Sequence, residues 1–139
     1  MSIRFVVNLE SSLDSFTLPK SPPSGGEWEK IRLVKAFYNQ TNASTNRILM
    51  FNIDECENDG YYESSGGAIT RYAFSYIIGH NADTDEYRLY NDRFIDFKNT
   101  KTDKLTIKVS DVTGYPTDIT STHYVILEFE INCRNKNSY

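Results

Sequence analysis

At 139 residues the chain is sized for one domain whose core holds without metal or disulfide staples. Lys and Arg total 15 against 19 Asp and Glu, and the net charge of -4 argues against a phosphate-backbone binder, so nucleic acid is not an expected partner. Aromatic residues make up 14% of the chain, with ten Tyr against one Trp, and their company of Val, Ile and Thr favours sheet over helix.

In chain order, Ile3, Phe5, Val7 and Leu9 alternate with Arg4, Val6 and Asn8 and predict a first strand. Glu10 to Gly26 reads as a long surface connection or arm. Leu13, Phe16 and Leu18 are scattered anchors in it, and Ser21-Pro22-Pro23-Ser24-Gly25-Gly26 has no strand capacity. Trp28 to Tyr38 predicts a strand buried on both sides for part of its length, with Ile31, Leu33 and Phe37 on one face and Val34, Ala36 and Tyr38 on the other. A helix is the rival there, disfavoured by the β-branched and aromatic content. Asn39 to Asn46 is a polar link.

Arg47 to Asp54 predicts a strand with Leu49, Phe51 and Ile53 on one face. Asp54 to Gly60 is an acidic loop, and Tyr61 to Gly67 reads as a mobile aromatic one. Arg71 to Gly79 is a strand with Tyr72, Phe74, Tyr76 and Ile78 inward. After a second acidic loop, His80 to Glu86, Tyr87 to Tyr90 and Asp92 to Phe97 are short strands, the latter anchored by Phe94 and Phe97. Lys104 to Val109 and His123 to Ile131 alternate without a fault, separated by a turn built on Gly114 and Pro116. Asn132 to Tyr139 is a polar tail. About eight strands result, and that number and spacing suit an all-β, two-sheet antiparallel sandwich, a single jelly roll in one domain.

Reactive chemistry is sparse. Asp54, Glu57, Asn58 and Asp59 offer hard oxygen ligands, but an EF-hand loop fails: its third position is Cys56 and the glycine falls one place late at Gly60. The two histidines, His80 and His123, fit polar strand ends better than a triad or a zinc site. No phosphate loop or nucleophile elbow occurs, so neither an enzyme nor a cofactor is expected. Cys56 and Cys133 are too sparse for a metal knuckle and are expected as free, buried or half-buried thiols. The start, Met1-Ser2-Ile3-Arg4, shows no secretory signal, and no apolar run is long enough to span a membrane, so a chain made in the cytosol is expected. Tyr61, Tyr62, Tyr87 and Tyr90 admit a second reading, a carbohydrate-binding jelly roll in which loop tyrosines stack on sugar rings.

The order of the motifs carries a resemblance. Glu27-Trp28-Glu29-Lys30-Ile31-Arg32-Leu33 is followed by Arg47-Ile48-Leu49-Met50-Phe51-Asn52-Ile53 and Ile69-Thr70-Arg71-Tyr72-Ala73-Phe74. Then come Lys104 to Asp111, Gly114-Tyr115-Pro116 and a His-led last strand, His123 to Phe129. This series resembles the single jelly-roll minor capsid and penton-like proteins of large icosahedral DNA viruses and virophages. The resemblance implies a structural role in the virion without a cofactor. Its implied partners are a major capsid protein, other minor capsid proteins and further copies of the chain itself. Under that reading Leu13, Phe16, Leu18, Pro22, Pro23, Tyr61, Tyr62 and Tyr139 are the expected contact residues.

Overall fold

The computed structural model describes residues 2–18, 26–39, 47–78, 93–112 and 119–134. Among them the chain is strand and turn throughout: β1 (Ser2–Leu9), β2 (Leu13–Thr17), β3 (Glu27–Tyr38), β4 (Arg47–Ile53), β5 (Gly60–Glu63), β6 (Ile69–Tyr72), β7 (Phe74–Ile78), β8 (Ile95–Asp96), β9 (Lys104–Ser110) and β10 (Val125–Arg134). Set aside the β5–β6 hairpin and the pairing follows one rule. First strand meets last (β1 with β10), second meets second-last (β2 with β9), then β3 meets β8 and β4 meets β7, all antiparallel. The chain is thus one long hairpin, and rolling it up adds β10 to β3 and β9 to β4. Two four-stranded sheets result, β1-β10-β3-β8 and β2-β9-β4-β7, which is the jelly roll.

The perfect alternation of β9 and β10 buries Leu105, Ile107, Val109, Val125, Leu127, Phe129 and Ile131 between the sheets. Phe74 of one sheet meets Phe129 of the other with ring centroids 6.0 Å apart. At one end Trp28 lies 6.4 Å from Phe97, and its indole N–H donates to the Thr102 carbonyl at 2.8 Å, so the ring is buried without an orphaned donor. Cys56 is buried and Cys133 half-buried, and both are free thiols.

Five sequence expectations need correction. The connection Glu10 to Gly26 is interrupted by β2, which pairs with β9 from Leu13↔Lys108 to Thr17↔Lys104. Leu18 then enters the core, its N–H donating to the Asp103 carbonyl at 2.8 Å. β3 is buried on one face only. Register slips between Glu128 and Phe129 and between Asn132 and Cys133 each insert a residue, so that Trp28, Ile31, Leu33 and Tyr38 face inward while Phe37 turns out, 54% exposed.

The run from Arg71 is not one strand: it bends at Ala73, whose N–H donates to the Phe51 carbonyl, leaving Tyr72 in the hairpin and Phe74 and Tyr76 in the core. Tyr61 to Gly67 is half strand, since β5 pairs with β6. Phe97 is an anchor as expected, but Phe94 is exposed, with the Arg32 guanidinium 5.1 Å from its ring centre. The expected strand Tyr87 to Tyr90, the Gly114 turn, the tail beyond Arg134 and the side chain of Ile78 lie outside the described residues.

Candidate interaction surface

The crossover between β4 and β7 carries the most distinctive local structure, and it is built from the turn upward. Where β4 ends at Ile53, Asn58 stitches the turn. Its Oδ1 accepts from the Ile53 N–H at 2.9 Å, and its Nδ2 donates to the carbonyls of Ile53 and Cys56 at 2.8 and 3.0 Å. The Glu55 carbonyl accepts the N–H groups of Lys98 and Asn99, and Glu57 N–H donates to the Asp96 carbonyl, so the turn is tied to β8 and its exit. Arg93 reaches the Asp59 carboxylate at 2.7 Å, a hydrogen-bonded pair that holds the Asp59 carboxyl below its usual range and raises Arg93.

From this base the β5–β6 hairpin extends. A Cβ on Gly60 would lie 2.7 Å from the Tyr72 carbonyl oxygen and overlap the edge of the Tyr72 ring, so glycine alone lets the two strands approach there. The tip turns at Gly67, whose φ of 85° suits glycine, and closes with Ser64 N–H donating to the Ala68 carbonyl. Period two then divides the hairpin. Gly60, Tyr62, Thr70 and Tyr72 share the more buried face, while Tyr61, Glu63, Ile69 and Arg71 form an exposed one. On that outer face Tyr61 opposes Arg71, whose guanidinium stands 5.5 Å from the ring centre, and the Tyr61 hydroxyl donates to Glu63 at 3.1 Å.

The expected contact residues are thereby dispersed. Leu13 is exposed on edge strand β2, Phe16 packs partly against the core, and Leu18 is buried in it and offers no surface. Tyr61 and Tyr62 are neighbours in sequence but point to opposite faces of β5. Pro22, Pro23, Tyr87, Tyr90 and Tyr139 lie outside the described residues, as does His80. Sequence reading placed Glu63 only within a contact loop, Asp54 to Gly67, and missed Ile69 and Arg71. The signal was available: Tyr61-x-Glu63 and Ile69-x-Arg71 flank Gly66-Gly67, which is a hairpin pattern.

No family model matches this sequence, and no curated protein is detectably similar to it.

Most of the polar side chains of the acidic turn bond within the protein, Glu57 being exposed. Asp54 pairs with Lys108 at 3.4 Å, Asp59 with Arg93, and Glu55 with Thr106, and among the described residues no three His, Cys, Asp or Glu group as a metal site. His123 sits beside the Thr122 hydroxyl at 3.3 Å, in a turn where Thr120 caps its N–H. Burial pushes the thiols of both Cys56 and Cys133 up, away from the thiolate that would react. The outer face of the β5–β6 hairpin combines the aromatic Tyr61, the aliphatic Ile69, the cationic Arg71 and the acidic Glu63, and Tyr and Arg are residue types that anchor protein contacts.

Proposed function

We propose that this chain is a structural component of an icosahedral viral shell, a minor capsid, cement or penton subunit that works through protein contacts. Its partners are a major capsid protein and neighbouring minor subunits. The observation that carries the reading is the outer face of the β5–β6 hairpin, where Tyr61, Ile69 and Arg71 stand exposed on a rigid jelly-roll frame. Tyr and Arg are the residue types that concentrate binding energy at interface centres, and a side chain held on a strand loses little freedom on docking. The resemblance of the strand motifs to single jelly-roll capsid proteins supports the same role. A glycan platform needs aromatic faces in one plane. The opposed Tyr61 and Tyr62, and the Arg71 already over the Tyr61 ring, favour a protein partner over a sugar.

The test is to purify particles from cells that express the chain and to quantify it by mass spectrometry. The wild-type chain is expected in a fixed copy number set by shell symmetry, with Arg71→Glu or Tyr61→Ala folded but depleted from particles. Particles that lack the wild-type chain, or that take up both variants at the wild-type level, overturn the role.

A further inference from the structure

Among the described residues the four sheet edges of the sandwich differ in how they are protected. β8 is two residues long, and β2 is five residues with Asp14 half-buried on its inner side. β7 also has five residues. β1 is eight residues, paired with β10 along its whole length through the unbroken register Ser2↔Asn132 to Leu9↔Val125, with no proline, no bulge and no inward charge. Among the described residues no strand pairs with its other side. Its one charge, Arg4, already lies 3.4 Å from Glu128 and 3.9 Å from Glu130. An edge without these guards is a template for another strand.

The pattern along β1 also names the strand that fits. Inward residues grade from half-buried Ile3 and Phe5 at one end to Val7 and Leu9, 2% and 0% exposed, at the other. An antiparallel copy reverses that gradient, so each half-covered residue meets a fully packed one.

We propose that two copies of the chain pair β1 to β1 about a two-fold axis at Val6, joining their sheets into one that runs through both molecules. In that register Ile3 meets Leu9 of the other copy, and Phe5 meets Val7. Outside, Val6 meets Val6, Arg4 meets Asn8 and Ser2 meets Glu10, so no like charges oppose and Arg4 stands diagonal to Glu10. Val6, 59% exposed in one copy, is covered by its own counterpart. Sliding the register until Arg4 opposes Arg4 would set two guanidinium groups together, which disfavours that alternative.

The pairing rests on the assembly reading for its use, but it is tested on the isolated chain. Sedimentation velocity of the wild type is expected to show a concentration-dependent dimer. Val6→Lys places two like charges on the axis and is expected to weaken dimerisation about tenfold or more, while an equimolar mixture of Val6→Lys and Val6→Glu recovers it. Leu13→Lys, on the edge of the other sheet, leaves the dimer unchanged. Hydrogen exchange on the wild type gives a reading independent of any variant's folding, with β1 amides gaining protection as concentration rises. A wild type that stays monomeric, a Val6→Lys chain that dimerises like wild type, a mixture that fails to recover, or β1 protection that ignores concentration overturns the pairing. A chain that dimerises as stated yet is absent from particles overturns the shell role alone.

Discussion

Glu55 closes on Thr106 with both carboxylate oxygens, one accepting the backbone N–H at 2.6 Å and the other the hydroxyl at 2.9 Å. The contact sits just beyond the last paired residue of β4, where Asp54 N–H still donates to the Thr106 carbonyl at 3.0 Å. The side chain therefore continues the β4–β9 ladder for one more step after the backbone has turned away. Buried N–H groups need such a partner.

Glu55→Ala removes it and leaves the Thr106 N–H without its acceptor in a site where Glu55 is only 7% exposed. We expect a loss of about 1.5–3 kcal/mol, the range for a hydrogen bond to a charged group. Urea unfolding checks it: the midpoint falls with the slope unchanged. Glu55→Gln, which keeps one acceptor oxygen, is expected to lose less than Glu55→Ala.

The single Trp reports on the same end of the sandwich. Trp28→Phe keeps an aromatic ring but leaves part of the buried indole's volume empty and orphans the Thr102 carbonyl that accepts the indole N–H, and we expect a cost of about 1–3 kcal/mol or somewhat more. In the wild type, Trp28 emission is expected to be blue-shifted and to move red in one transition that coincides with the loss of sheet circular dichroism. Separate transitions for the two signals would show that this end opens before the rest.

These predictions fall where the sequence was readable and where it was not. β9 and β10 were legible because each pairs on both sides and buries one face, so nothing disturbs their period of two. β3 was misread because two bulges switch its inward parity, and a bulge depends on the partner strand, which local sequence does not name. β2 was missed because Leu13 faces out while Phe16 and Leu18 face in, a spacing with no period. At the candidate surface, Tyr61 was found by its type. Its partner Arg71 was not, since ten residues and a hairpin register separate them.

The two thiols give a chemical test of packing. Burial raises Cys56, fully enclosed in the core, and Cys133, which opens onto a shallow depression with Ser2, Glu29 and Asn132. Iodoacetamide on the native protein near pH 8 is expected to label Cys133 slowly and leave Cys56 untouched, with both labelled in denaturant. Peptide mass spectrometry reads the sites. Prompt labelling of Cys56 would mean that the turn above it opens readily.

The Asp59–Arg93 pair fixes how the hairpin base responds to acid. Its partners are 57% and 40% exposed, so solvent screens the pair and its contribution is at most about 1 kcal/mol. The hydrogen bond from Arg93 lowers the Asp59 pKa in the folded chain. A lowered carboxyl contributes stability that is complete above its unfolded value, near 4, and that disappears as pH falls through the lower folded value. Asp59→Asn is therefore expected to cost most at neutral pH, and its deficit against wild type should shrink steadily below about pH 4. Thermal melts of both proteins across that interval decide it. The stability of the sandwich as a whole also changes with acid, so only the difference between the two curves isolates this pair. A deficit that stays constant down to pH 2 would mean that Asp59 acts through its shape in the turn and not through its charge.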